Sequence, residues 1–349
     1  MALPTLPPVR YLPTILPTGA GMSESSLQAE VQSALVSTYV IERELPRGGM
    51  SHVFVATEIA LRRQVVIKVL APDLSATLSS ERFRREIGLA ARLQHPHIVP
   101  LLSSGLAGGH LYYTMPFVDG ESLRDRINRE RPMAINDITG IIEAVARALD
   151  YAHAQSIVHR DIKPENVMFF HGQAVVLDFG IGKALMQATN TDSDQMRITQ
   201  VGMSLGTPMY IAPEQAAGDP TLDHRADLYA LGVVAYEMIT GHPPFVSRSP
   251  QKLIEAHAAQ KPEAMVTRRP DLPRHLDAIV MRMLEKLPGN RPATGGDIAN
   301  ALAGPTIARS AGRGPVADTM ARAPFWVPWA IAGAATLVAM LMTILYLRR

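Results

Sequence analysis

The sequence predicts an α+β fold in which a β-rich first part is followed by a helix-rich second part. From Tyr39 onward, the runs YVIEREL, HVFVATEIA and QVVIKVL are short and rich in β-branched residues, which is typical of strands. From Ser122 onward, apolar residues recur at helical spacing, as in ITGIIEAVARALDYAHA and HRADLYALGVVAYEMITG. We therefore expect two lobes, the first over residues 37–117 and the second over residues 118–302.

The composition is that of a globular chain and excludes several kinds of site. Of the 349 residues, 47% are hydrophobic and 19% are charged, which is too apolar for a disordered chain. The formal net charge is only +2, so no overall basic field would attract nucleic acid, and we expect no nucleic-acid partner. Because the chain has no cysteine, disulfides, cysteine zinc sites and thiol nucleophiles are excluded.

The two ends of the chain differ from its centre. Residues 1–36 begin with many prolines and predict a disordered leader rather than a secretory signal. Residues 303–324 are small, polar and rich in Gly and Pro, which predicts a flexible linker. Residues 325–347 carry no charge and are long enough to cross a bilayer, so we expect one transmembrane helix there; the alternative is a buried core helix.

A small-residue turn and a strand lysine are the first candidates for phosphate binding. The segment LPRGGMSHV (45–53) lies between two predicted strands, where backbone N–H groups of small residues approach phosphate oxygens closely. Taken alone, this segment favours an ordinary hairpin over a phosphate-binding loop. Lys68 follows in an apolar strand, where a buried ammonium group needs an anionic partner. Glu86, on the next predicted helix, is a candidate for that partner.

A more specific group of polar residues follows in the second part. Residues 159–166 are HRDIKPEN, and residues 178–180 are DFG directly after an apolar run. Phosphoryl transfer needs a carboxylate for the attacking hydroxyl, oxygen ligands for Mg²⁺ and cations for the phosphates. These residue types are present here, and the candidates are Asp161 as base, Lys163 as cation, and Asn166 and Asp178 as metal ligands.

Over residues 37–302 the sequence resembles the eukaryotic-type protein kinase family, and most of all its bacterial serine/threonine branch. The resemblance rests on motifs that occur together in the family order. They are the glycine-rich loop (46–53), Val-Val-Ile-Lys (65–68), Glu86, His-Arg-Asp to Asn166, Asp-Phe-Gly (178–180), Gly-Thr-Pro-Met-Tyr-Ile-Ala-Pro-Glu (206–214), Asp227 and Arg291.

The resemblance implies a bilobal kinase fold and a role for each matching residue. Lys68 would hold the ATP phosphates and pair with Glu86, Asp161 would accept or orient the hydroxyl proton, and Lys163 would stabilise the transferring phosphoryl group. Asn166 and Asp178 would bind Mg²⁺, with Mn²⁺ as an alternative ion. The remaining nucleotide contacts would come from Gly48, Gly49, Met50, Ser51 and Val53 of the loop and from Met115 and Val118 at the hinge. Glu214 and Arg291 would form a structural ion pair, and Asp227 would brace the catalytic loop.

Two features concern regulation and departures from the family pattern. Pro46 and Ser51 replace the first and third glycines of the loop, which predicts a stiffer loop and weaker nucleotide binding. Arg160 resembles the family arginine that meets a phosphate on the activation segment, and Thr199 is the candidate phosphosite.

These observations together predict a single-pass kinase of the cell membrane that phosphorylates protein substrates. The need for ATP places its kinase domain in the cytoplasm, and a homodimer would permit autophosphorylation between neighbours. Two alternatives remain open: a pseudokinase scaffold that signals by contacts, and a phosphotransferase of related fold that acts on small molecules.

Overall fold

The computed structural model describes residues 24–48, 51–71, 80–179 and 208–303, all within one compact unit, Met1–Gly304. The predicted linker and transmembrane helix lie outside the described residues, as do Gly49, Met50 and Thr199. In the part that is described, no helix is both long and apolar enough to cross a membrane.

The described residues form seven strands, nine α-helices and three short 3-10 helices. The strands are β1 (Tyr39–Gly48), β2 (Ser51–Glu58), β3 (Arg63–Leu70), β4 (Ser103–Ala107), β5 (His110–Pro116), β6 (Val167–Phe170) and β7 (Gln173–Val176). The helices are α1 (Glu24–Leu35), α2 (Ser80–Ala90), α3 (Leu123–Arg129), α4 (Ile135–Ala154), α5 (Pro213–Ala216), α6 (Arg225–Thr240), α7 (Pro250–Ala259), α8 (Arg274–Met283) and α9 (Gly295–Leu302). The 3-10 helices are Pro164–Asn166, Met265–Thr267 and Pro288–Asn290.

The first lobe is an antiparallel sheet with strand order β1-β2-β3-β5-β4. Successive side chains of a strand point to opposite faces, so β3 divides its residues between two apolar clusters. Val65, Ile67 and Val69 pack on one face, and Val66 and Leu70 pack on the other, which helix α2 covers. The alternation places Lys68 on the α2 face, between Val66 and Leu70 in the sequence.

Helix α1 corrects the prediction that residues 1–36 are a disordered leader, because residues 24–35 are helical. Leu27, Val31 and Leu35 recur every four residues and are buried against the sheet face opposite to α2. The side chain of Gln32 also donates to the Tyr39 carbonyl (3.0 Å) and accepts from the Ile41 amide (2.7 Å). A single apolar stripe and one glutamine thus attach this helix to β1, and the domain begins earlier than residue 37.

The second lobe is helical and is built around α4 and α6. Helix α6 is buried over almost its whole length, which explains why its sequence is apolar on all sides. Its Gly232 permits a close approach to α8, since a Cβ atom there would lie 2.8 Å from the Cβ atom of Met283. The β6–β7 hairpin meets the segment after α2 through a parallel bridge from Val176 to Ile98. The predicted bilobal α+β arrangement is confirmed.

Candidate active site

Lys68 contacts Asp178, the residue that follows β7 and opens the Asp-Phe-Gly motif. The ammonium group forms a very short ion pair with the carboxylate of Asp178, and both side chains are largely buried. Tyr113 of β5, which lies opposite Lys68 in the strand register, donates its hydroxyl to the other oxygen of the same carboxylate at 3.0 Å. The two adjacent strands therefore direct a cation and a hydroxyl toward one acid.

The environment of Asp178 stabilises its charged form. Burial alone would raise the pKa of this carboxyl, but the charge of Lys68 and the hydrogen bonds from Lys68 and Tyr113 together hold the pKa below its usual value. Burial, followed by the charge of Asp178, raises the pKa of the Tyr113 phenol well above its usual value, so the phenol stays protonated and donates. Asp178 has a φ of 64°, a strained conformation for a residue other than glycine.

The resemblance predicted Glu86 as the partner of Lys68, and the structure shows Asp178 in contact with the lysine. The pairing with Glu86 stays a prediction. Glu86 lies on α2, half-buried, and its charge acts on the guanidinium of Arg160.

The catalytic loop, residues 159–166, brings the other predicted residues together. The ammonium group of Lys163 donates to Asp161 Oδ2 at 2.6 Å, and the amide nitrogen of Asn166 donates to the same oxygen at 3.0 Å. Asn166 also donates to the Asp161 carbonyl at 2.7 Å. The Asp161 carboxylate is about half exposed (49%), so a hydroxyl from outside can reach it.

Asp227 of α6 fixes the backbone of the catalytic loop through hydrogen bonds. Its buried carboxylate accepts from the backbone amides of His159 (2.8 Å) and Arg160 (2.7 Å) and from the ring of His153 (2.8 Å). Arg160 has a φ of 67°, and these bonds offset the cost of that conformation. Burial would raise the pKa of Asp227, but the three donors keep it lowered. The predicted bracing role is confirmed as geometry.

Both ring nitrogens of His159 are engaged in hydrogen bonds, so neither is free to act as a general base. Its Nε2–H donates to the Leu177 carbonyl at 2.7 Å, and its Nδ1 accepts from the Asp161 amide at 3.2 Å. The ring is fully buried and packs edge-on against Phe179, with the ring centroids 4.7 Å apart. This arrangement leaves Asp161 as the exposed base of the loop.

The predicted nucleotide residues lie around one apolar cluster between the lobes. Met115 is buried in this cluster, and Val53 and Val118 pack against it. Gly48 ends β1 and pairs with Ser51, the first residue of β2. The partly buried apolar side chains of this cluster would suit contact with a flat heterocycle whose phosphates extend toward Lys68.

Comparison with known proteins decides the family. A model of the protein kinase domain matches residues 39–304. The chain belongs to the protein kinase family. Serine/threonine-protein kinase PknB of Mycolicibacterium smegmatis is 40% identical over 270 residues, which cover 76% of this chain and 42% of that protein. Serine/threonine-protein kinase pkn3 of Myxococcus xanthus is 37% identical over 273 residues, covering 76% and 49%.

The predicted bacterial serine/threonine branch is thereby confirmed. The kinase chain spans less than half the length of these relatives. A crystal structure of Rad53 residues 1–466 in complex with AMP-PNP superposes with a TM-score of 0.63 over 76% of this chain and 65% of that one. At 21% identity, this likeness supports the fold alone.

The predicted ion pair of this kinase, Glu214 with Arg291, is also present. The guanidinium meets the carboxylate through two parallel bonds of 2.6 and 2.8 Å, and both side chains are buried. Arg291 also donates to the carbonyls of Arg225, Glu285 and Lys286, so it ties the start of α5 to α6 and to the turn after α8.

Sequence reasoning missed three groups of functional residues in the kinase. Tyr113 received no predicted role, although its alternation with Leu111 and Met115 in β5 places all three in one cluster on the Asp178 face. Met168 and Leu177 pack on the apolar cluster that contains Met115, but their sequence context indicates only a hydrophobic strand. The third group, Arg124 and the carboxylates with which it pairs, joins residues too distant in the sequence for any local pattern to show.

Proposed function

We propose that this kinase transfers the γ-phosphoryl group of ATP to serine or threonine hydroxyls of proteins. The observation that carries the proposal is the convergence of Lys163 and Asn166 on the half-exposed carboxylate of Asp161. The names of the bacterial relatives support the serine/threonine class, and membership of the protein kinase family supports ATP as the nucleotide.

One base, Asp161, and two cations, Lys163 and Lys68, take part in the proposed reaction. Asp161 accepts the hydroxyl proton as the substrate oxygen forms its bond to the γ-phosphorus. The bond from that phosphorus to the bridging oxygen breaks, and ADP leaves with the electron pair. Lys163 neutralises charge on the transferring group, and Lys68 neutralises charge on the remaining phosphates. Positioning and electrostatic stabilisation of this kind supply most of the catalysis of phosphoryl transfer.

The donor set fits a magnesium ion. Because the amide nitrogen of Asn166 donates to Asp161, its amide oxygen is left as a ligand atom, and the carboxylate of Asp178 supplies a second hard donor. Magnesium in nucleotide sites keeps few protein ligands, and bound there it would neutralise phosphate charge. Within the described residues, no group of three or more His, Cys, Asp or Glu side chains is arranged so that it could hold a metal ion by itself. Mn²⁺ would fit the same donors.

Autophosphorylation of the purified chain with Mg-ATP tests the activity, with phosphosites mapped by mass spectrometry. We expect phosphate on serine or threonine in the parent and none in Lys68→Met or Asp178→Asn. Nucleotide binding without any transfer to protein would instead indicate a scaffold, and transfer only to small molecules would indicate the other alternative.

The same proposal includes an anchor and a location. Residues 325–347 would form one membrane-spanning helix that contacts the lipid bilayer, with the kinase domain on the cytoplasmic side, where ATP is available. Retention in the membrane fraction after carbonate washing, and its loss on truncation at residue 322, is the expected result. Release of the full chain by carbonate would contradict the anchor.

Regulation would act through Arg160. Its guanidinium is half-buried, and its Nε has no hydrogen-bond partner within the described part of the chain. Burial lowers its pKa, with Asp227 and Glu86 opposing that effect, so a phosphate on the activation segment would be a favourable partner. We propose that Thr199 is the phosphorylated residue and that one copy of the kinase phosphorylates the other within a homodimer. The initial rate per enzyme should rise with enzyme concentration, and a rate independent of concentration would exclude the dimer route.

A further inference from the structure

Tyr113 on β5 holds one oxygen of the Asp178 carboxylate, which is a proposed metal ligand. The phenol hydroxyl donates to Asp178 Oδ1 at 3.0 Å, whereas Lys68 donates to the other oxygen, Oδ2. An ionised carboxylate can only accept hydrogen bonds, so the phenol is the donor in this contact. Each oxygen of Asp178 thus has its own partner, and the two partners lie opposite each other on neighbouring strands.

The phenol of Tyr113 is fixed in place by packing. Its side chain is only 2% exposed and lies in the apolar cluster that also contains Val66 of β3 and Phe83 and Ile87 of α2. The buried side chains around the ring are aliphatic or aromatic and offer the hydroxyl no comparable acceptor, so the bond to Asp178 satisfies a buried polar group. The hydroxyl is therefore a fixed point against which the carboxylate is oriented.

The backbone of Asp178 is held separately, by contacts of the residues on either side of it. The amide of Leu177 donates to the Asn166 carbonyl at 2.9 Å, and the ring of Phe179 packs edge-on against His159. The first of these contacts also ties this segment to Asn166, the other proposed metal ligand. Because the backbone is already fixed, the hydrogen bonds of the carboxylate determine where its two oxygens lie.

The two partners of Asp178 differ in what they do when a nucleotide binds. Lys68 is a proposed cation for the ATP phosphates, so its contact with Oδ2 is the one that is exchanged. The Tyr113 hydroxyl has no second task in the proposed reaction, and its bond to Oδ1 can persist. A hydrogen-bond partner behind a metal ligand orients that ligand, and its loss typically lowers the affinity for the metal by about 10–100-fold.

We propose that Tyr113 is a positioning residue that holds Oδ1 of Asp178 and so keeps Oδ2 in place as a ligand of the magnesium ion that accompanies ATP. The phenol acts through Asp178 and does not contact the phosphates. It therefore determines the affinity for the metal and leaves the affinity for metal-free nucleotide unchanged. The inference rests on the proposed kinase activity, in which Asp178 is a metal ligand.

Calorimetry of AMP-PNP binding to the full chain tests this role without any phosphoryl transfer, since this analogue of ATP is not a phosphoryl donor. In Tyr113→Phe, the Mg²⁺ concentration that gives half of the metal-dependent tightening should rise about tenfold over that of the parent. The Kd for AMP-PNP in EDTA should stay within about twofold of the parent value. An unchanged Mg²⁺ dependence in folded Tyr113→Phe would overturn the inference, and so would an equal loss of affinity in EDTA.

Kinetics should show the same separation. The Mg²⁺ concentration for half-maximal phosphoryl transfer should rise about tenfold in Tyr113→Phe, whereas kcat at saturating Mg²⁺ should change less than about threefold. In an Asp178→Ala background, adding Tyr113→Phe should change the Mg²⁺ affinity less than about twofold, because the phenol acts through the carboxylate. A further tenfold loss in that background would show that Tyr113 acts by another route and would overturn the inference.

Tyr112→Phe is the matched control, because Tyr112 is the next residue of β5 and packs on the opposite face of the sheet. It removes the same hydroxyl and should leave the Mg²⁺ dependence within about twofold of the parent, and shifts of equal size in the two variants would overturn the inference. If Tyr113→Phe does not fold, Tyr113→Met takes its place, since methionine adapts to an apolar site and donates no hydrogen bond. If the parent binds no nucleotide and transfers no phosphate, the proposed activity itself fails, which is a different result.

Discussion

The two sides of the active site are held in different ways. The catalytic loop rests on buried bonds to Asp227, which fix its backbone at His159 and Arg160. Lys68, on the opposite side, is held by one ion pair with Asp178 at the cleft. The bonds to Asp227 are part of the fold. Lys68 and Asp178, in contrast, must separate or share a partner when phosphates and a metal bind. The residues of the first side should therefore govern stability, and those of the second should govern catalysis.

Replacing Asp227 by alanine should have the largest effect on stability. The change leaves two buried backbone N–H groups without an acceptor, which costs about 3–5 kcal/mol in the free energy of unfolding. Urea denaturation measures that loss. The control is Asp271→Ala, an exposed carboxylate, which should change the free energy of unfolding by about 0.5 kcal/mol or less. Equal effects of the two substitutions would show that the loop is not held as described.

Protonation of His257 in α7 should give the next largest effect. This ring is fully buried, with its Nδ1 2.9 Å from the Tyr229 hydroxyl, and burial followed by the charge of Lys286 lowers its pKa to about 4. The unfolded chain takes up this proton near pH 6.5, so the contribution is complete above pH 6.5 and is lost as pH falls toward 4.

We expect the parent to lose up to about 3 kcal/mol more than His257→Gln between pH 7 and pH 4. Urea denaturation at a series of pH values measures the difference, and His275→Gln, at an exposed position, is the control. Parallel pH profiles for the parent and His257→Gln would contradict the assignment.

Replacing Lys68 by methionine should affect stability least and catalysis strongly. Asp178 keeps the Tyr113 bond and is partly accessible to water, so the free energy of unfolding at pH 7 should fall by about 2 kcal/mol, the net contribution of one hydrogen bond to a charged group. The lowered pKa of Asp178 contributes stability above its unfolded pKa near 3.9 and loses it as pH falls, so the variant should show a smaller acid-side loss.

The rate of phosphoryl transfer by Lys68→Met should fall by about a hundredfold or more, because a cation on the phosphates is lost. Single-turnover kinetics beside Lys252→Met, an exposed lysine on α7, measures this change. A loss of unfolding free energy in Lys68→Met as large as that in Asp227→Ala would contradict the difference between the two sides of the active site.

The sequence predicted those parts of the site that lie in short, ordered motifs. Asp161, Lys163 and Asn166 are within six residues of one another, so local spacing alone brings them together. The contact of Lys68 with Asp178 was not predicted, because the two residues are 110 positions apart and only the folded chain brings them together. Helix α1 was not predicted, because many prolines precede it in the sequence and its apolar stripe is weak. This helix becomes stable only when the stripe packs on the sheet. The cluster around Arg124 joins residues more than a hundred positions apart, beyond any sequence pattern.

The role of Asp161 is the most direct test of the account. Single-turnover transfer from Mg-ATP to a serine peptide should be measured for the parent and for Asp161→Asn, with nucleotide affinity determined in parallel. The account predicts a rate lowered by about 10²–10⁴-fold with ATP affinity unchanged within about twofold, because the base is lost while the nucleotide contacts stay. An unaltered transfer rate in the variant would contradict the assignment of this loop as the catalytic centre.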